Sequence, residues 1–236
     1  MQRFFIDSSD IKGNQIEIRN PQIAHQILRV LRMRTGSCFV ALDGSGMEFI
    51  CKLISANEGA VTADIIEKRA NTAEPDLFVT LYQAMPKKMD LFEFVLQKDT
   101  EIGVSAFVPL ASEFTERGEV SKRDRLERIL REAAEQSERG KIPTLHNEIK
   151  FPDALNQKLS FPILLHCRGE NLPLSSVLNE AKKHGKCELF IGPEGGFSEK
   201  EVASAREKNF KICSLGKRIL RTETVAISAA TILLLQ

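Results

Sequence analysis

The sequence predicts an α/β protein in two parts, a small N-terminal β-barrel and a larger domain whose mainly parallel sheet is covered by helices. Three observations carry this expectation. Residues 36–66 break into short alternating segments separated by turn residues. Residues 68–76 lose the apolar period and read Lys-Arg-Ala-Asn-Thr-Ala-Glu-Pro-Asp, as a boundary does. After that stretch the rhythm becomes strand, helix, strand, helix, which implies parallel strands with helical crossovers.

Taken in order, residues 25–31 place Ile27, Leu28 and Leu31 at helical spacing, with Arg29, Arg32 and Arg34 around and after them. Strands are expected over 38–42, 48–53 and 60–65, with turns at Asp43-Gly44-Ser45-Gly46 and Asn57-Glu58-Gly59. The polar stretch divides the chain into domains 1–70 and 77–236. A strand over 77–83 leads to a helix from about Lys88, which repeats Met89, Phe92, Val95 and Leu96 at steps of three and four. A strand over 106–110 then leads to a helix from about Ser121 with Leu126, Ile129, Leu130 and Ala133 on one face. Further strands fall at 163–166, 188–191 and 211–215, and Ser198-x-x-Glu201 is a capping box that opens a helix. The apolar stretch 225–235 has about half of the ~20 residues a membrane span needs and reads as a buried helix.

Composition narrows the function classes. With 42% hydrophobic and 28% charged residues the chain has the make-up of a soluble globular protein. A formal charge of +1 means that a nucleic-acid partner must be met by a local basic surface. Cys38, Cys51, Cys167, Cys187 and Cys213 are odd in number and never spaced as C-x-x-C, which argues against a disulfide framework and a zinc site and for reduced thiols in the cytoplasm. The first nine residues hold only a three-residue apolar run, far short of a signal peptide. No P-loop, dinucleotide fingerprint, serine elbow or zinc-protease motif is present, so ATP, NAD and hydrolase chemistry are disfavoured and no metal is expected.

Two loops stand out. Gly192-Pro193-Glu194-Gly195-Gly196 lies where a strand ends and a helix begins, the edge at which open α/β sheets bind ligands. It is either a ligand-binding turn or a plain chain reversal. Leu215-Gly216-Lys217-Arg218-Ile219-Leu220-Arg221 also follows a strand, and its cations are either functional or a solvated run. Thr222 or Thr224 would serve as the N-cap of the last helix.

These loops, together with His25-Gln26-Ile27-Leu28-Arg29-Val30-Leu31-Arg32, Gln97-Lys98, Thr100-Glu101-Ile102-Gly103-Val104, Glu132-Ala133-Ala134-Glu135-Gln136-Ser137-Glu138-Arg139 and Ile219-Leu220-Arg221-Thr222-Glu223-Thr224, span nearly the whole chain. In this order they resemble the ribosomal RNA small subunit methyltransferase E family of the SPOUT superfamily. Two segments depart from the family pattern: Asp99 stands where a small residue is expected, and Glu113-Phe114-Thr115-Glu116-Arg117-Gly118 lacks the usual compact Glu-Arg-Ser segment.

The resemblance implies a PUA-like RNA-binding barrel, a SPOUT domain with a deep trefoil knot, and a homodimer. It implies S-adenosyl-L-methionine as cofactor and 16S rRNA or the assembled small subunit as partner, a uridine being methylated at ring position 3. It assigns the cofactor to Leu165, His166, Gly192, Pro193, Glu194, Gly195, Gly196, Leu215, Gly216, Ile219, Leu220, Arg221, Thr224 and Ala226. Arg221 is the candidate for stabilising charge on the uracil carbonyls, with a salt bridge to Glu223 or Glu194 as its plainer role. Glu194 or Glu223 would accept the ring proton, orient Arg221 or cap the last helix. His25, Arg29, Arg32, Lys87, Lys88 and Lys98 are the candidate RNA contacts. Ribose or transfer-RNA methylation, and RNA binding without catalysis, stand as the competing readings.

Overall fold

The computed structural model describes residues 1–57, 59–116 and 120–235. Glu58, in the expected turn at 57–59, and Arg117 and Gly118, in the segment that departs from the family pattern, lie outside them. The chain divides into two compact units, Met1–Glu74 with Ala134–Ile142, and Pro75–Ala133 with Pro143–Gln236.

The N-terminal unit is a six-stranded sheet in the order β1 (Arg3–Phe5), β4 (Cys38–Leu42), β5 (Met47–Ala56), β6 (Val61–Ala70), β3 (Gln15–Ile18), β2 (Ile11–Lys12). β1 and β4 pair in parallel and the other neighbours are antiparallel. Between β3 and β4 runs the short α1 (Pro21–His25), capped by the Asn20 side chain and continued by a π-helical turn (Gln26–Val30). The sheet curls around Phe4, Ile16, Ile18, Ile27, Phe39 and Leu53, all sealed from solvent. β1, β2 and β3 are not anticipated by the sequence pattern, because they are short and interrupted by polar turns. The residues read as the start of a linker, Lys68 to Ala70, instead finish β6 opposite Phe49, Glu48 and Met47.

An ionic cluster explains why the unit takes in 134–142. The Glu48 carboxylate, almost fully buried, receives hydrogen bonds from Arg3 (2.6 Å), Arg69 (2.7 Å) and Asn71 (2.8 Å). Arg3 also reaches Glu138 (2.8 Å), Phe5 N–H donates to Glu135 (2.9 Å), and Asn71 Nδ2 donates to the Glu138 carbonyl (2.9 Å). Arg139 is paired with Glu74 (2.8 Å). Ala134 and Ile142 close a small apolar cluster with Phe5, Val40 and Leu42. A segment that the sequence places inside the second domain therefore completes the first.

The C-terminal unit is an eight-stranded sheet in which every neighbouring pair is parallel. Its order is β10 (Ile149–Lys150), β8 (Ala106–Ala111), β7 (Phe78–Ala84), β13 (Lys186–Ile191), β11 (Pro162–Leu165), β14 (Lys211–Ser214), β12 (Leu172–Pro173), with β9 (Thr144–Leu145) also on β8. The crossovers carry α2 (Met89–Ile102), α3 (Arg123–Gln136), α4 (Phe151–Ala154), α5 (Leu178–His184) and α6 (Glu199–Glu207), and α7 (Thr222–Leu234) ends the unit. α2 stops where Gly103 turns left-handed at φ 118°, and it buries Phe92, Val95 and Leu96 as its period requires. An aromatic cluster fills the space beside the central strands: Tyr82 stacks on Phe190 at 4.2 Å, and Phe151, Phe197 and Phe210 close around them.

Two buried carboxyl groups behave oppositely. Burial alone would push the Glu48 carboxyl up, but hydrogen bonds from Arg69, Asn71 and Arg3 outweigh it and hold the group below the usual carboxylate range. Asp99 on α2 is 0% exposed, neither of its oxygens has a hydrogen-bond partner, and burial raises its carboxyl well above the ordinary value. Stability linked to Glu48 is therefore present above its unfolded pKa and is lost as pH falls through the folded one. For Asp99 the unfolded chain ionises first, so stability falls as pH rises above the unfolded value, near ~4. Glu48→Ala is expected to cost about 3–5 kcal/mol in urea denaturation at pH 7, because it takes the buried partner from Arg3 and leaves it only the exposed Glu138. Asp99→Ala is expected to stabilise by about 1–3 kcal/mol at pH 8 and much less at pH 4; equal changes at both would refute the buried, protonated carboxyl.

Candidate functional site

The C-terminal ends of β13, β11 and β14 open onto a cavity of about 720 Å³, within the size range of small-molecule sites. Three loops wall it. The end of β11 and the loop after it contribute Leu165 and His166, the turn after β13 contributes residues 192–197, and the loop after β14 contributes Leu215, Gly216 and residues 218–221. Three neighbouring strands of one parallel sheet thus aim their ends at one space, at the edge where such sheets bind ligands.

The glycine turn is held from several sides. An added Cβ at Gly192 would lie 2.9 Å from the Gly196 carbonyl carbon, so the turn closes this tightly only with glycine there. Phe197 anchors its far end in the aromatic cluster, 5.1 Å from Phe151. Ser198 and Glu201 form the expected reciprocal capping box on α6. Glu194 Oε1 accepts the Lys87 backbone N–H at 3.1 Å, which ties the turn to the segment after β7.

The most constrained contact involves a residue whose expected role was different. Arg221, not Thr222 or Thr224, is the N-cap of α7, and it caps without a side-chain bond. Thr222 is the first helical residue, and its buried hydroxyl donates to the Gly192 carbonyl at 2.7 Å while accepting from Gln83 Nε2 at 2.9 Å. Gln83 is itself buried at the end of β7 and also donates to the Ala84 carbonyl. Sequence reasoning missed Gln83; an amide side chain near the end of a mainly apolar strand was its one signal.

Of the expected cofactor residues, Leu165, His166, Gly192, Pro193, Glu194, Gly195, Gly196, Leu215, Gly216, Ile219, Leu220 and Arg221 all line the cavity. Thr224 is exposed and Ala226 is sealed in the interior, and neither is among the lining residues. Glu223 lines it as well. Leu91 and Phe114 complete the wall from α2 and from the loop after β8, neither anticipated by a local pattern. Burial holds the His166 imidazole below its ordinary value, so the ring is neutral at pH 7. Among the described residues no ion pair joins Arg221 to Glu194 or Glu223. The cavity is therefore a mainly apolar slot with backbone polar groups along its edges, three solvent-facing arginines (Arg168, Arg218, Arg221) and three carboxylates (Glu194, Glu199, Glu223).

The expected RNA contacts fall in both units. His25, Arg29 and Arg32 lie exposed on and after α1, Arg32 with a positive φ of 50°. Lys87 and Lys88 are exposed just before α2, where Lys87 pairs with Glu116 at 2.8 Å; Lys98 pairs with Glu101 at 2.8 Å. No group of three or more His, Cys, Asp or Glu side chains suited to a metal is found among the described residues, and none of their helices is long and apolar enough to cross a membrane.

Comparison with known proteins adds an independent line. A family model described as RNA methyltransferase domain matches residues 73–234, and one described as RNA methyltransferase PUA domain matches 18–66. The ribosomal RNA small subunit methyltransferase E of Bacillus subtilis (strain 168) is 31% identical over 97% of this chain and 94% of its own. That of a Synechocystis species is 36% identical over 90% of this chain and 69% of its own. A crystal structure of the Neisseria gonorrhoeae ribosomal RNA small subunit methyltransferase E bound to S-adenosyl methionine superposes with a TM-score of 0.88 and 29% identity, over 98% of this chain and 95% of that one.

The hydroxyl bridge makes a separable prediction. Thr222→Val, equal in shape but without the oxygen, is expected to destabilise by about 1–3 kcal/mol in chemical denaturation, with Thr222→Ser recovering most of the loss. Equal stability of all three proteins would remove the bridge as a support of the glycine turn.

Proposed function

Because the chain belongs to the ribosomal RNA small subunit methyltransferase E family, we propose that it transfers a methyl group from S-adenosylmethionine to ring position 3 of a uridine in 16S ribosomal RNA. The observation that carries this reading is the cavity formed by three loops at the ends of β13, β11 and β14, with its glycine turn intact and Arg221 at its wall.

The residues present fit the cofactor. Apolar side chains of Leu165, Leu215, Ile219 and Leu220 suit an adenine face, and Gly216, at φ 108°, leaves open space where a side chain would stand. When bound, S-adenosylmethionine supplies a methyl group already activated on a sulfonium. The uridine nitrogen must lose its proton before it takes that methyl, and negative charge then spreads onto the uracil carbonyls. Arg221 is placed to oppose that charge, since no ion pair to Glu194 or Glu223 occupies it among the described residues. Glu194 is partly committed to the Lys87 N–H, which leaves Glu223 as the stronger candidate to receive the proton. Neutral His166 serves as wall and not as counter-charge.

Position 3 lies on the pairing edge, so the acceptor has to be unpaired or flipped before it reacts. Arg29 and Arg32 in the N-terminal unit, with Lys87, Lys88 and Lys98, supply cations for flanking phosphates, and exposed His25 a polar contact. The same reading takes the molecule as a cytoplasmic homodimer, supported by the partly exposed apolar residues of α2 and α7, among them Phe94 and Leu235 beyond its end. It takes the chain as knotted. In support, the chain leaves β14 beside β11, yet α7 packs against α2, β7 and β13.

Tritium transfer from labelled S-adenosylmethionine to small-subunit particles from a strain without the activity tests the proposal, and label in 3-methyluridine is expected. Label in a ribose or in another base would retain methyl transfer and reject the acceptor. Arg221→Ala is expected to lower kcat by roughly 10²–10³-fold with a much smaller loss of cofactor affinity. A parallel loss of cofactor affinity would make Arg221 a binding residue instead.

A further inference from the structure

The cavity is longer than the strip walled by the loops after β11 and β14, and its remaining wall comes from the opposite side of the sheet. In the order β8, β7, β13, β11, β14, the apolar residues proposed above for the adenine face end β11 or follow β14, and the glycine turn after β13 stands between them and the β8 side. Phe114 follows β8, two strands beyond β13 on the other side, or roughly 10 Å at the usual strand spacing. Arg221 lies between the two halves, because Thr222 next to it is bonded both to Gln83 at the end of β7 and to Gly192 after β13.

Phe114 is a large apolar side chain that is 47% exposed although it borders the cavity. It is not a loose surface residue. Ser112 and Thr115 close a turn around it, with Thr115 N–H on the Ser112 carbonyl at 3.0 Å and Ser112 N–H on the Thr115 hydroxyl at 2.9 Å. Glu113 N–H donates to Glu201 Oε1 at 2.9 Å, and the other oxygen of that carboxylate accepts Ser198 N–H in the cap of α6. The turn that carries Phe114 is thus fastened to the helix that follows the glycine turn. A Cβ built on Gly195 would lie 3.0 Å from the Phe114 Cβ, so the two backbones approach closely and the phenyl group stands against the glycine turn.

We propose that the Phe114 ring is the stacking platform for the flipped acceptor uracil, a specificity-determining residue on the side of the glycine turn away from the apolar adenine wall. The inference rests on the methyl-transfer reading above. A half-exposed aromatic ring on a tethered turn offers a flat apolar surface at little entropic cost, and bases drawn out of a helix are held in this way. Uracil has few atoms to bury, so a stacking partner matters more to its retention than it would for a purine. Arg221 would then meet the edge of a ring whose face is held by Phe114.

The test uses the full-length protein, S-adenosylmethionine and small-subunit particles lacking the modification. Phe114→Leu keeps an apolar side chain and the contact with Gly195, and Phe114→Tyr keeps the aromatic face. Loss of one base–aromatic stack is expected to lower kcat/KM for the particles by roughly tenfold or more in Phe114→Leu. Phe114→Tyr is expected to stay near the parent. Cofactor Kd by calorimetry, thermal midpoint and sedimentation behaviour are expected to be unchanged in both. Normal turnover by Phe114→Leu overturns the proposal. So does a loss confined to cofactor affinity, which would make Phe114 a wall of the adenosyl site, or a changed sedimentation coefficient, which would make it a subunit contact. Absence of transfer by the parent protein would instead reject the methyl-transfer reading itself.

Discussion

The functional half of the molecule depends on one small hydrogen-bonded bridge, Gln83 Nε2 to Thr222 Oγ to the Gly192 carbonyl. It joins the end of β7, the first residue of α7 and the first residue of the glycine turn, three points far apart in the chain. All three groups are buried, so each would be costly to leave unpaired, and the bridge admits little play. Because Arg221 immediately precedes Thr222, the same bridge sets where the guanidinium emerges. Because Gly192 begins the turn, it also sets where the backbone groups of the next four residues face. A cofactor wall and a candidate catalytic cation are thus positioned by a single hydroxyl.

Around this bridge the turn is fastened at each further residue capable of it. Glu194 is tied to the Lys87 backbone, Phe197 to the aromatic cluster, and Ser198 to Glu201. Glu201 extends the fastening to the loop after β8. The result is a site made of loops whose geometry is set by the sheet beneath them. That arrangement suits a reaction in which the protein's main task is alignment of two bound molecules.

Much of this was legible in the sequence, for definable reasons. The strand–helix alternation after residue 77 is visible because each helix must bury one stripe, and Phe92, Val95 and Leu96 on α2 do so. The glycine turn is visible because glycines cluster where backbone approaches a ligand or itself, and the loop after β14 because it lies between a strand and an apolar helix. The capping box at Ser198 and Glu201 follows from spacing alone. What escaped has no local pattern. Gln83, Leu91, Phe114 and Thr222 are brought together from separate parts of the chain, and the hydroxyl of Thr222 looked like a helix cap. β1 to β3 are too short to show a period. Lys68 to Ala70 read as linker because their charges belong to a strand whose partner row includes buried Glu48.

The composite make-up of the N-terminal unit also bears on how the protein is made. Residues 134–142 supply Ala134, Glu135, Glu138 and Ile142 to a sheet whose own strands end at Ala70. During synthesis the first unit can collapse early, but its ionic and small apolar clusters stay incomplete until the ribosome has delivered residues 134–142, more than halfway through the sequence. The beginning of the protein therefore waits for its middle. For the same reason the barrel cannot be cut out as one continuous piece and grafted elsewhere: any transplant must carry two separate stretches of sequence, and their inheritance as a pair is built into the fold.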